Sequence, residues 1–282
     1  MNKIGSGRRP LKKVIFYIVI LVTCVLAIFP GYWLLITSIT ERSQILNRNG
    51  LFPPLDAITF SSYSRILTER PLVKWFSNSI LVTVLTILLV VVVSSLAAYS
   101  LSRFRSRWNR LIGYSLLLVC MMPATLFIVP LYIMFMKMGL INSFLSVVLA
   151  NTAITIPFST WMMKGFFDGI SPTLEEAAEI DGCGTLSSFI RIILPLSLPG
   201  IATNVIYVAV LAWSDFLFAR TFLSQDANWT MTVGVYSMIG EHQIMWEEIS
   251  AVSLISIVPI TILFMFFQKY LINGMAAGAV KQ

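Results

Sequence analysis

The chain has 282 residues, of which 57% are hydrophobic and 12% charged, where a soluble domain carries about a quarter charged residues. That leaves too little polar surface to cover a globule in water, so lipid is the solvent for much of the chain. The formal net charge of +7 comes from basic residues at the edges of apolar runs with no aromatic-interleaved patch, which argues for a topology signal and against nucleic acid.

A bilayer core of about 30 Å takes about 20 mostly apolar residues per helix, and six stretches qualify. The first, 14–39, follows Lys3, Arg8, Arg9, Lys12 and Lys13. Its apolar run is longer than that of a signal peptide, and no small-x-small site follows, so an uncleaved helix is expected. A long segment, 40–75, leads to the second span, 76–102, where Asn78-Ser79 reads as a helix N-cap or as interhelix glue. The linker 103–110 holds Arg103, Arg105, Arg107 and Arg110, a topology anchor. The third span, 111–136, contains Pro123 and Pro130, which are expected to kink it. A tight turn around Lys137–Asn142 precedes the fourth span, 143–163, which Pro157 interrupts. A substantial loop, 164–199, separates it from the fifth, 200–222. The loop 223–248 carries Trp229, His242, Trp246, Glu247 and Glu248, and the histidine and the glutamates are expected to be solvated. The sixth span, 249–272, contains Pro259.

Basic residues orient this set. With both termini cytoplasmic, the inner segments hold 13 Lys+Arg and the outer ones 7, five of them spread through 40–75. The expectation is an all-α integral membrane protein of the bacterial-type cytoplasmic membrane, one transmembrane domain over 1–282. Cys24, Cys120 and Cys183 have no metal-ligand spacing, and His242 is the single histidine. No catalytic residue, metal site or cofactor is therefore expected in the chain.

The 164–199 loop is the most informative segment. Thr173 and Glu176 have capping-box spacing, and Ser171-Pro172 offers an alternative cap. Glu175 and Glu176 complement the positive end of a helix dipole, while Leu174, Ala177, Ala178 and Ile180 supply small or apolar contact surface. Gly182 and Gly184 end this helix, and a second segment with Leu186, Phe189, Ile190 and Ile193 stops at Pro195. So short a helix is unstable alone in water and suits docking into a partner's groove.

Glu176-Ala177-Ala178, three residues, Gly182, nine residues, then Ile192-x-Leu194-Pro195 resembles the EAA loop of ABC-importer permeases at every anchor position. Further segments are similar to carbohydrate permeases of the MalG-like, binding-protein-dependent branch. They include Trp75-Phe76-Ser77-Asn78-Ser79, Ala97-Ala98-Tyr99-Ser100-Leu101-Ser102-Arg103-Phe104, Met121-Met122-Pro123, Ala212-Trp213-Ser214-Asp215 and Gly278-Ala279-Val280-Lys281. Ser214 stands where asparagine is usual in the branch. The resemblance implies six transmembrane helices and an alternating-access permease for a sugar. It also implies a second homologous permease, two ATPase subunits that bind ATP and magnesium, and an extracytoplasmic solute-binding protein. Glu175, Glu176, Ala177, Ala178, Asp181 and Gly182 become the ATPase-coupling residues. Glycerol 3-phosphate is the alternative solute, since relatives of the branch carry it.

Asp215 lies in the fifth apolar run, where an acid must face protein or water. It is either a partner between helices or, with Trp213 and Asn151, part of a translocation path. Rival classes fare poorly. An intramembrane protease lacks its Ser-His pair or second buried aspartate, and a secondary transporter lacks repeated halves and buried ion ligands. No Gly-Lys dipeptide exists for a phosphate-binding loop.

Overall fold

The fold is given by a computed structural model that describes residues 8–45, 52–104, 106–240 and 244–279, with side chains from 13 to 270 inside those limits. These residues form helices and turns, with two isolated bridges, Thr40 to Ile58 and Ile239 to Ile244, and no strand among them. The helices are α1 (Arg8–Ser38), α2 (Arg42–Ile45), α3 (Ser61–Thr68), α4 (Leu72–Arg103), α5 (Arg107–Cys120), α6 (Ile128–Lys137) and α7 (Phe144–Asp168). They continue as α8 (Thr173–Ile180), α9 (Thr185–Ser188), a π-helical turn at Phe189–Ile193, α10 (Leu194–Leu196), α11 (Leu198–Trp213), α12 (Leu217–Phe222), α13 (Met231–Ser237) and α14 (Trp246–Ala279).

Among the described residues four helices are long and apolar enough to cross a membrane, and the number rises to six if each of two bent pairs is one span. The first bend falls at the expected Pro123, and the second, between Leu196 and Leu198, lies outside the expected spans. Cys120 ends α5 before Met121-Met122-Pro123, and the chain turns by 102° into the Ala124–Lys137 segment. Proline lacks the N–H and clashes with the preceding turn, so the break falls there. The expected fifth span, 200–222, is two helices, because α11 ends at Trp213 and α12 starts at Leu217. Pro157 and Pro259, by contrast, lie inside unbroken helices.

The chain divides into two compact units, Met1–Arg70 with Met238–Ile255, and Pro71–Ser237 with Ser256–Gln282. In the first, described residues of the 40–75 segment are tied together. Thr40 and Ile58 pair across it, and Ser38 and Tyr63 share a hydroxyl hydrogen bond of 2.9 Å. None of the most apolar window of α1 is buried inside the described chain.

In the second unit α4 and α7 pack along each other and α11 packs on both. The same measure of burial reaches 56% in α7, whose Ser146, Asn151, Thr152, Thr155, Ser159 and Thr160 are all buried. Small polar residues let helix backbones approach closely and bond across them in lipid. One apolar core joins Val82 and Val147 to Phe135, Phe218 and Phe222, and another joins Tyr99, Met163 and Phe167 to Phe189 and Ile193. The loop after α12 is fastened to α4: Asn78 Nδ2 donates to the carbonyls of Ala227 and Trp229, each at 2.9 Å. Asn78 thus ties α4 to a loop and not to another α-helix, and it is no N-cap because α4 begins six residues earlier at Leu72.

Candidate functional site

The 169–197 segment sits beside the ends of α4 and α7. Helix α8 starts without the Thr173–Glu176 capping box. Instead Ser171 Oγ accepts weakly from Thr173 N at 3.4 Å, and the two hydroxyls share a 2.8 Å bond. Its C-terminus is a Schellman motif. Gly182, at φ +84°, donates its N–H to Glu179 O, and Cys183 donates to Ala178 O at 2.9 Å. The second segment continues one residue beyond Pro195, to Leu196, before a 77° turn into α11. The π-helical turn just before Pro195 bonds Leu194 N to Phe189 O, which widens the helix where proline cannot join it.

The six residues expected to act together on this loop divide by orientation. Glu176, Ala177, Asp181 and Gly182 are exposed, and Ala178 is buried. Leu174, Ile180, Leu186 and Ile190 are large apolar side chains left exposed along the same segment, Ile180 at 87%. Glu175 points the other way. Its Oε2 accepts from Tyr99 Oη at 2.6 Å, and its Oε1 pairs with Arg103 Nε. Arg103 also donates from Nη1 to Phe167 O and from Nη2 to Ile170 O, each at 3.1 Å. Tyr99 and Arg103 are one helical turn apart on α4, a spacing visible in the sequence. Their partner lies 76 and 72 residues further along the chain, which no local pattern signals.

Asp215 falls in the break between α11 and α12, so the carboxylate lies at a helix start and outside any continuous span. Its Oδ1 accepts from Phe218 N and its Oδ2 from Ala219 N, both at 3.1 Å, and Asn151 Nδ2 adds a third bond at 3.3 Å. Two of the three path candidates are therefore brought together. Trp213 is not among them, since its Nε1 donates to Ser256 O at 3.0 Å and its ring meets Phe76 edge-on.

Glu247 and Glu248 overturn the expectation of solvation, being only 1% and 4% exposed at the first turn of α14. Arg65 bridges them, with Nη2 to Glu247 at 3.1 Å and Nε to Glu248 at 3.0 Å, while Arg42 and Arg70 stand 3.9 and 3.6 Å away. The basic residues of the 40–75 segment, read as thinly spread charge, supply these counter-ions. His242 and Arg105 lie outside the described residues.

Residues 90–277 match the family described as the binding-protein-dependent transport system inner membrane component. The chain belongs to this family. It is 34% identical over 254 residues to the sulfoquinovosyl glycerol transport system permease protein SmoH of Agrobacterium fabrum, covering 90% of this chain and 89% of that one. It is 32% identical over 276 residues to the trehalose/maltose transport system permease protein MalG of Thermococcus litoralis, covering 96% and 98%. A chain of this fold occurs in a bacterial ABC transporter involved in the import of the acidic polysaccharide alginate, with a TM-score of 0.82 at 21% identity over 96% of this chain and all of that one. The chain is a membrane-embedded transport subunit of a binding-protein-dependent importer, and the MalG-like branch read from its motifs holds.

Proposed function

We propose that this subunit forms half of the translocation path for a carbohydrate, with residues 1–282 acting as one transmembrane permease domain whose termini are both cytoplasmic. A second homologous permease supplies the other half, an extracytoplasmic binding protein delivers the solute, and two ATPase subunits bind ATP and magnesium. The observation that carries this reading is the 169–197 loop. It exposes Leu174, Ile180, Leu186 and Ile190 beside the acidic Glu176 and Asp181, an apolar surface rimmed by charge of the kind that marks a protein interface. Glu176, Ala177 and Gly182 are the proposed ATPase contacts, and closure of the ATPases moves the loop and the helices joined to it. The absence of a Gly-Lys dipeptide supports hydrolysis by partners. The names of the relatives support a sugar as the solute.

The test is uptake by the whole complex in proteoliposomes, with the binding protein titrated by calorimetry against maltose, trehalose, raffinose, an arabinooligosaccharide and glycerol 3-phosphate. Binding and ATP-dependent uptake of at least one sugar are expected. Uptake of glycerol 3-phosphate with none of the sugars would replace the solute class. Nucleotide hydrolysis by this subunit alone, purified in detergent, would refute the division of labour.

A further inference from the structure

Four acidic residues lie on or just after α8: Glu175, Glu176, Glu179 and Asp181. Three are exposed, with no ion pair among the described residues. Glu175 alone is turned inward, its side chain 13% exposed against 12% for Arg103. Every polar atom of this pair is engaged within the second unit. Both carboxylate oxygens are taken by Arg103 and Tyr99. The guanidinium reaches Ser102 Oγ at 3.0 Å, one carbonyl in the last turn of α7 and one just after it, where a cation also complements the helix dipole. Phe167 and Phe189 pack on Tyr99 with centroids 6.3 and 4.7 Å away, and Phe104 closes the other side at 6.3 Å. Aromatic walls of this kind exclude water and strengthen the pair. The neighbouring Lys164–Asp168 pair is 24% and 45% exposed, and such surface pairs hold little.

We propose that Glu175 is a positioning residue that faces Arg103 and Tyr99 of α4 and not the ATPase, so that α8, the end of α4 and the end of α7 move as one body. This rests on the docking reading of the loop given above and refines it: contact with the ATPase belongs to the exposed residues, and transmission to the membrane belongs to the inward latch. It also gives Tyr99 and Arg103 a role that topology anchoring does not.

The test uses the assembled complex with Cys24, Cys120 and Cys183 replaced by serine and Val73, exposed near the opposite end of α4, replaced by a cysteine carrying an environment-sensitive fluorophore. Copurification of the ATPase reports docking, and the fluorescence change with magnesium, ATP and vanadate reports whether α4 follows. Glu175→Gln and Arg103→Gln are each expected to keep the ATPase at full stoichiometry while the α4 response falls at least threefold. The double variant should be no worse than the worse single one, because residues that act through each other are not additive. Loss of the ATPase from Glu175→Gln, an unchanged response in both singles, or losses that multiply in the double would overturn the latch. If the Gln variants fail to assemble, Tyr99→Phe carries the test by itself. It removes one hydroxyl, a reduced response supports the latch, and an unchanged one overturns it. Ala177→Arg, on the exposed face, separates the two readings. If the ATPase stays bound to that variant, the docking reading falls and the latch with it. If Ala177→Arg loses the ATPase while α4 responds normally in the Glu175 and Arg103 variants, the latch alone falls.

Discussion

At the 169–197 loop one arginine serves one carboxylate, and every donor and acceptor in the group has a partner. At the start of α14 three arginines surround two nearly buried carboxylates, yet among the described residues Glu247 Oε2 and Glu248 Oε2 have no hydrogen bond. The first group is complete and has no spare member, so it behaves as a rigid link. The second is redundant in charge and incomplete in hydrogen bonding. Redundancy protects it from loss of a peripheral arginine, and incompleteness leaves its carboxylates room to change partners. A fully satisfied polar network fixes a geometry, whereas a partly satisfied one holds charge in place without specifying one arrangement.

The largest expected effect is at the loop. Gly182→Arg places a side chain on a φ of +84°, which non-glycine residues adopt at a cost, and sets a long cation on the proposed docking face. ATP hydrolysis stimulated by the loaded binding protein should fall at least tenfold while the chain still inserts. A normal rate would remove the loop from its half of the comparison.

Arg65→Ala attacks the other cluster at its centre. Removing one partner of a buried pair leaves an uncompensated charge and costs about 3 kcal/mol or more. Arg42 and Arg70 remain, so the lower end is expected, read as a drop in thermal unfolding temperature in detergent. A loss below about 1 kcal/mol would mean that the two flanking arginines suffice.

Asp215 probes a third arrangement, an acid held by backbone N–H groups with no cation among its hydrogen-bond partners. Asp215→Ala should cost about 1 kcal/mol, the usual worth of a capping side chain. Asp215→Asn keeps one acceptor oxygen and turns an NH2 group toward the N–H of Phe218 or Ala219, so a stability loss no larger than that of Asp215→Ala is expected, with uptake held within twofold. A clear fall in uptake at unchanged stability would return the charge to the translocation path.

The smallest effect is expected from Arg42→Ala, at 3.9 Å from Glu247 and 43% exposed. Exposed pairs contribute about 0–1 kcal/mol, so its melting curve should nearly overlay that of the parent chain. A loss as large as that of Arg65→Ala would erase the claimed redundancy.

Much of this was legible along the chain. The apolar runs at 14–39, 76–102 and 249–272 each correspond to a long helix, because the length that crosses lipid is a local property. Pro123 marked a break, and Gly182 marked the end of α8, since ring closure and positive φ act on their own residues. The break at Ser214–Phe216 was not legible, because the run stays apolar on both sides and the aspartate there needs Asn151 and the α12 N–H groups to be held.

Charge was read least well. Glu247 and Glu248 look like loop carboxylates, and Glu175 looks like its neighbour Glu176. Whether a carboxylate faces water or an arginine is fixed by partners 182, 183 and 72 residues away. The sequence by itself determined the solvent, the four long apolar helices and the family, all of which follow from runs and spacings. Only the tertiary structure decided which acids are buried, because desolvation is a property of the neighbours that folding brings together.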